Sequence, residues 1–349
     1  MNARNDRDIL VIGASFGGLA VLRRLLSRLP EDFAAPVFIV QHISPTAETI
    51  LHKILEANGP LPALLPQDGE KITPGTIYVA PPNRHLLVKK DHVAVVFGPK
   101  ENRSRPSIDA LFRSAAAYHT TRVAAVLLTG YLHDGVSGLN AVKRCGGITL
   151  VQDPNEAEAP ELPQTAIDRV EIDHVLPLEG IGRKLLDIIG QPAGDPPEVP
   201  EEIMEDVKVS EHEIPNIDRM HEVGDQTPYT CPECGGGLWR MKNEPITRYR
   251  CHTGHAFSEQ SFLAGQAEVI ENSLWATIRL VQERIDVLTR MAETARKKNR
   301  EDSAADLEKK MEEMIYHVRT IRRFILSGLL GGNTEADAAP VARGEKTAV

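Results

Sequence analysis

Two groups of residues in this chain have the types and spacing that chemistry requires. The first is Ser15, held among glycines in "GASFGG" between the apolar run "ILVIG" and the helical pattern "GLAVLRRLL". A serine on a tight strand-to-helix turn stands exposed for nucleophilic attack, and small neighbours let a substrate approach the backbone. The helix that follows offers unpaired N–H groups and a positive dipole end to a developing oxyanion. The same turn shape cradles pyrophosphate in dinucleotide folds. G-x-G-x-x-G fails here because position 15 is serine, yet six residues alone leave nucleophile and phosphate cradle both open.

The second group reads C-x2-C, sixteen residues, then C-x3-H, from Cys231 to His255. Zinc takes four tetrahedral N or S ligands, two from a C-x2-C knuckle and two from a second turn. Cys231, Cys234, Cys251 and His255 are the expected ligands of a structural zinc, with His252 as a rival for the fourth place. Four protein ligands close the metal shell, so no catalytic role for it is expected. The competing reading is three reduced cysteines in a small ribbon held by other contacts.

A serine nucleophile needs a base, and the base needs an orienting carboxylate. In an open parallel sheet such groups gather at the carboxyl ends of the strands. His42 follows the apolar run "VFIVQ", and Asp134 follows "VAAVLLTG" in the loop "TGYLHDG". His85, His119 and His133 are rival bases, and Asp153, which ends "TLVQD", is the rival carboxylate. Only His42 among the histidines joins a strand-end position to a strand beside that of Ser15.

The elements that must position these residues alternate. "DILVIG", "APVFIVQHI", "RVAAVLLTG" and "GITLVQD" are near-continuous apolar runs, as strands covered on both faces require. Helical patterns over "GLAVLRRLLSRL", "AETILHKILEAN", "SIDALFRSAAAYH" and "GVSGLNAVKRC" separate them, which predicts a doubly wound, mostly parallel α/β sheet across residues 7–190. Between residues 76 and 98, "TIYVAP", "HLLVKK" and "HVAVVF" leave no room for helices and predict an antiparallel hairpin.

Residues 191–227 are rich in proline and acid and read as an exposed linker with a short helix at "EEIMEDV". The cysteine module is expected over 228–258. Across 259–330 two apolar seams flank the polar "ARKKNREDSAAD". They predict a helical hairpin, or a coiled coil that pairs two copies of the chain into a homodimer. The small, polar tail 331–349 is expected to be disordered.

The chain has 349 residues and a formal net charge of −9, which argues against a nucleic-acid partner. The start, "MNARNDRDILVIG", shows no signal-peptide pattern, and no apolar run is long enough to cross a membrane. Cysteines crowded at metal spacing fit a reducing, cytoplasmic setting.

Six motifs follow in order: "VIGASFGGLAVLRRLLSRLP", "VFIVQHISP", "DGEKITPGTIYVAPPNRHLLV", "RPSIDALFRSAA", "VLLTGYLHDGVSGLNAVKRCGGITLVQD" and "LPQTAI". Together they resemble the catalytic domain of the chemotaxis-type protein-glutamate methylesterases, the CheB family. The resemblance covers residues 8 to 190 and implies Ser15 as nucleophile, His42 as base and later acid, and Asp134 as the carboxylate that orients His42. It also implies an oxyanion donor at the backbone N–H of Tyr131, and no cofactor for catalysis. The implied reaction frees glutamate from its methyl ester on methylated chemoreceptors, with glutamine deamidation as a companion activity.

The chain departs from the family's pattern in three ways. Typical members carry an N-terminal receiver domain, whereas the first strand here begins near residue 8. Phe16 stands where threonine is common, and Tyr131, Leu132 and His133 replace smaller residues, so the pocket beside the nucleophile changes shape. Glu161 and Leu162 replace a "GM" pair, and an acid there is expected to repel glutamate-rich receptor helices. Two other readings therefore stand beside the methylesterase: a hydrolase of another carboxyl ester or amide, and a non-catalytic scaffold presenting the zinc module to a signalling partner.

Overall fold

In the computed structural model of the chain, residues 5–43, 49–211 and 217–328 are described. The tail 331–349 and the start of the helical pattern "AETILHKILEAN" lie outside them. The first half alternates β1 (Ile9–Ala14), α1 (Gly18–Leu26), β2 (Val37–Gln41), α2 (Leu51–Asn58), β3 (Ala63–Leu64) and β4 (Ile77–Val79). The hairpin strands β5 (His85–Val88) and β6 (Val93–Val96) come next, followed by α3 (Ile108–His119), β7 (Val123–Leu127), α4 (Val136–Arg144) and β8 (Ile148–Gln152). Then come α5 (Glu161–Arg169), β9 (His174–Leu176) and α6 (Leu178–Ile188).

Seven strands form one parallel sheet in the order β3-β4-β2-β1-β7-β8-β9. The chain moves outward from β1 on one side and resumes at β7 on the other, so β1 marks the switch point where such sheets open a crevice. Alternate residues of β1 feed two cores. Ile9 and Val11 pack with Ile108, Leu111 and Phe112 of α3, while Leu10 and Ile12 pack with Leu22 and Leu25 of α1 and Ile181 and Leu185 of α6. Burial on both faces explains why these strands read as continuous apolar runs.

The expected antiparallel hairpin is confined to β5 and β6. The run "TIYVAP" instead supplies β4, which pairs parallel with β2 and β3 and buries all three residues. Three buried residues in a row carry no period, so parallel and antiparallel pairing were indistinguishable in the sequence.

The segment 191–227 is not an exposed linker throughout. A helix, α7 (Glu201–Ser210), covers the helical expectation and buries Ile203, Val207 and Asp206, with the two apolar side chains joining the core that holds α3. A stripe of Ile203, Val207 and Ser210 is too short to stand out among proline and acid in the sequence. After α8 (Ile217–Val223) comes a four-stranded antiparallel ribbon: β10 (Gly224–Thr230), β11 (Gly237–Met241), β12 (Arg248–Cys251) and β13 (Ala256–Ser258). Its first strand thus begins before residue 228.

A long helix, α9 (Glu259–Lys297), leads into a second compact unit that starts at Leu263 and contains α10 (Glu301–Leu326). The two helices form an antiparallel hairpin in which Thr289 Oγ1 meets Met311 Sδ at 3.8 Å and Arg296 donates to Glu308 at 2.9 Å. Ile278 and Ile325 are buried, and the remaining seam positions, Leu274, Val281, Ile285, Leu288, Leu307, Met311, Met314, Val318 and Ile321, are half-buried. The seams thus lie along a hairpin formed within one chain. Among the described residues, no helix is long and apolar enough to cross a membrane.

Candidate active site

Ser15 directly follows β1, His42 directly follows β2, and Asp134 lies in the loop from β7 to α4, so all three stand at the carboxyl edge around the switch point. The turn that presents Ser15 depends on two close approaches. Gly17 has a φ of 75°, in the left-handed region, and a Cβ there would lie 2.6 Å from a Glu158 carboxylate oxygen. A Cβ on Gly130 would lie 2.7 Å from the Ser15 Cβ. The Ser15 N–H donates to Thr129 O at 3.0 Å, and Gln41 Nε2 donates to Ser15 O at 2.6 Å, which fixes the turn between two strand ends.

One row of hydrogen bonds links the three side chains. His42 Nε2 lies 2.7 Å from Asp134 Oδ2, and His42 Nδ1 lies 3.1 Å from Ser15 Oγ. An ionised carboxylate only accepts, so Nε2 carries the proton and Nδ1 presents its lone pair to the serine hydroxyl. A row of this kind can move the hydroxyl proton to the imidazole as the oxygen attacks a carbonyl.

Asp134 is 3% exposed and sits against the N-terminus of α3. Oδ2 accepts from the Ile108 N–H at 2.7 Å, and Oδ1 accepts from Ser107 Oγ at 2.8 Å, Asn102 Nδ2 at 3.1 Å and the Asp109 N–H at 3.3 Å. Burial alone raises a carboxyl pKa, but the hydrogen bond and charge of His42, with Ile108 and Ser107 behind them, bring Asp134 below the ordinary aspartate value. The carboxylate is therefore ionised wherever the imidazole needs it. Asp109, buried beside it, moves the other way: burial first, then the charge of Asp134, raise its pKa.

Three of the four rivals, His85, His119 and Asp153, are engaged elsewhere. His85 is fully buried, its Nε2 donating to Pro99 O at 2.8 Å and its Nδ1 accepting from the Ser107 N–H at 3.2 Å. His119 donates to Lys89 O at 2.8 Å. Asp153 Oδ1 accepts from the backbone and side-chain nitrogens of Asn155, both at 2.9 Å. His133 lies next to Asp134 in sequence, and burial lowers its pKa.

Phe16 and Tyr131 flank Ser15 as a ring pair with centroids 5.3 Å apart. Phe16 remains 46% exposed at the mouth. Among the described residues, neither the Phe16 N–H nor the Tyr131 N–H has an intramolecular backbone acceptor, which leaves both as candidate oxyanion donors. Two acids border the site: Glu158 against Gly17, and Glu161, whose Oε1 accepts from the Leu132 N–H at 3.3 Å.

A family model described as CheB methylesterase matches residues 10–185, half of the chain. The chain belongs to the CheB methylesterase family. A Leptospira interrogans relative, named provisionally as a protein-glutamate methylesterase/protein-glutamine glutaminase, is 40% identical over 175 residues, which is 50% of this chain and 91% of that relative. A Methanosarcina acetivorans protein-glutamate methylesterase/protein-glutamine glutaminase 2 is 34% identical over 192 residues, covering 53% of this chain and 54% of that protein. The chain thus spans about half the length of the second relative. The crystal structure of the Thermotoga maritima CheB methylesterase catalytic domain superposes with a TM-score of 0.51 at 32% identity, over 52% of this chain and 98% of that one.

Sequence reasoning missed four residues of this CheB site: Gln41, Asn102, Ser107 and Asp109. Ser107 and Asp109 lay inside the quoted motif "RPSIDALFRSAA", and a serine opening a helical run is an N-cap signal, but nothing in the sequence ties that cap to Asp134. The cap is made: Ser107 Oγ accepts from the Ala110 N–H at 3.4 Å.

The second group of candidate residues is also gathered. The ligand atoms of Cys231, Cys234, Cys251 and His255 all lie within 4.8 Å of one another. Cys234 Sγ and Cys251 Sγ are 3.8 Å apart, and Cys251 Sγ is 3.6 Å from His255 Nδ1. Zinc–sulfur bonds of about 2.3 Å in a tetrahedron put two sulfurs about 3.8 Å apart, so donor set and spacing both fit zinc. His252 lies outside the group, with its ring against Gly236.

Proposed function

We propose that the chain is a serine hydrolase that removes methyl esters from glutamate side chains of chemoreceptor-type signalling proteins, with glutamine deamidation by the same route. The observation that carries the reading is the hydrogen-bonded row Ser15–His42–Asp134 on the carboxyl edge of a CheB sheet. The names of the relatives support the substrate class.

In this reaction Ser15 Oγ attacks the ester carbonyl as His42 Nδ1 takes its proton. Asp134 stabilises the imidazolium through Nε2–H, and the N–H groups of Tyr131 and Phe16, which lack backbone acceptors among the described residues, would bind the oxyanion. The imidazolium then protonates the departing methoxide, and methanol leaves. Water, activated by the same ring, cleaves the acyl-enzyme, frees the glutamate carboxylate and restores Ser15. With glutamine the leaving group is ammonia.

Cys231, Cys234, Cys251 and His255 would hold a structural zinc, which supplies cross-linking of the ribbon and no step of the reaction. The deciding experiment is methanol release from a methylated receptor, with Ser15→Ala as control. Release by wild type and none by the variant is expected. Wild type that frees no methanol from any methylated receptor would defeat the proposal. Turnover of a small activated ester that depends on Ser15 would then favour a different carboxyl substrate, as the aromatic pair and the two acids at the mouth allow.

A further inference from the structure

Asn102 joins the cysteine ribbon to the carboxylate of the active site. It lies between β6 and α3 with a φ of 50°, and its N–H donates to Ala256 O of β13 at 2.8 Å. Its side-chain nitrogen donates to Asp134 Oδ1 at 3.1 Å and to Asp109 Oδ2 at 3.0 Å. Its side-chain oxygen accepts from the Ser258 N–H at 2.7 Å and from Ser261 Oγ at 3.1 Å. An amide has two N–H donors and two acceptor lone pairs, and all four are used here. A flipped amide would set its oxygen against two carboxyl groups and its nitrogen against an N–H, so the ribbon side dictates which atom faces Asp134.

The ribbon partners belong to the metal module itself. Ser258 closes β13, which begins one residue after His255, and Ser261 stands in the first turn of α9; both are buried. β13 pairs with β12, which ends on Cys251, and the Cys251 N–H donates to His255 O at 2.9 Å.

A second anchor holds the ribbon in place. Arg248 and Arg250 of β12 enter a buried cluster with Glu101, Arg113 of α3 and Asp206 of α7. Arg248 donates to Glu101 at 3.2 Å and to Glu244 at 2.8 Å, and Arg250 approaches Asp206 at 3.2 Å. Three guanidinium groups face three carboxylates, and separating them would leave charges buried without partners. Glu101 is the residue before Asn102, so the cluster and the amide bridge act on one short stretch of chain.

We propose that Asn102 is a positioning residue through which the zinc-loaded ribbon orients Asp134, making the ribbon part of the hydrolase machinery rather than an appended domain. This rests on the reading of Ser15, His42 and Asp134 given above. With the ribbon ordered, Asn102 adds a donor to Oδ1, the carboxylate oxygen that His42 does not use. Without it, the amide is free to turn, and Asp134 Oδ1 keeps only Ser107 Oγ and the Asp109 N–H as donors, which loosens its orientation.

The test uses the full chain, with p-nitrophenyl acetate as substrate and Ser15→Ala as background, in wild type, Asn102→Ala, Cys234→Ser and the double variant. Zinc content and the downfield proton resonance of His42 Nε2–H are read in each. Asn102→Ala is expected to lower kcat roughly tenfold while KM stays within about twofold, because orientation and not binding is lost. Cys234→Ser should lose zinc and fall by a similar factor, and the double variant should be no slower than Asn102→Ala alone. The Nε2–H resonance should move upfield in each of these variants.

Wild-type kcat together with an unmoved resonance in Asn102→Ala would overturn the proposal, as would losses that multiply in the double variant. Asn102→Ala keeps the question decidable if Cys234→Ser fails to fold. If wild type shows no Ser15-dependent turnover, the hydrolase reading has failed, and the resonance alone then decides the coupling.

Discussion

His42 Nε2 lies 2.7 Å from Asp134 Oδ2, and the other nitrogen of the same ring faces Ser15 at 3.1 Å. One carboxylate therefore sets both the tautomer and the direction of the imidazole. Asp134→Asn would offer an amide donor where the imidazole needs an acceptor and would turn the bare nitrogen away from Ser15. The variant is expected to lower kcat about 10⁴-fold with little change in KM or in far-UV circular dichroism. A loss under tenfold would mean that Asp134 does not orient the base.

The ring pair at the mouth should act on substrate choice. Phe16 is 46% exposed, and its ring lies tilted at 48° to that of Tyr131 with centroids 5.3 Å apart, so removing it costs the fold little. Phe16→Thr is expected to lower KM for a methylated receptor several-fold and to leave p-nitrophenyl acetate turnover within about twofold. Equal effects on both substrates would place Phe16 in the chemistry instead of the entrance.

Acid should weaken the joint between ribbon and sheet. Burial alone would raise the Glu101 pKa, but the charges of Arg113, Arg250 and Arg248 overcome it and hold the carboxyl far below its usual 4.5. A depressed folded-state pKa contributes stability that is complete above the unfolded value and is lost as pH falls toward the folded one. Urea midpoints for wild type should therefore hold from pH 7 to about 5 with respect to this group and drop below about 4.5. Glu101→Gln should cost about 3–5 kcal/mol at pH 7 and show a shallower acid dependence. An unchanged slope in the variant would assign the acid sensitivity to other carboxyls.

Zinc should bind at one ion per chain. Cys231 and Cys251 are buried within the group formed with Cys234 and His255. Cys231→Ser is expected to abolish stoichiometric zinc in plasma emission analysis and to lower the thermal midpoint, whereas His252→Ala should retain the metal. Zinc retained by Cys231→Ser and lost by His252→Ala would reverse the ligand assignment.

Much of this was legible without coordinates. Apolar runs covered on both faces, separated by helical patterns, already imply a doubly wound parallel sheet, because that pattern buries both faces of each strand. Strand-end positions made Ser15, His42 and Asp134 candidates, since parallel strands deliver their carboxyl ends to one edge, but Asp153 shared that property and only the ordered family motifs separated them. C-x2-C followed by C-x3-H marked, by ligand spacing alone, the four residues whose donor atoms the fold gathers within 4.8 Å.

Contacts between distant segments were decided only in three dimensions. β4 joined the main sheet because pairing depends on neighbours that a three-residue run does not encode. The segment 191–227 contributed a packed helix because Asp206 finds arginines from α3 and β12, residues 93 and 42 positions away for Arg113 and Arg248. Asn102, unremarkable in "GPKENRSRP", became the link between Asp134 and Ser258 because a side-chain amide takes its meaning from the four groups around it. Local pattern determined which residues could react; tertiary packing decided what holds them in line.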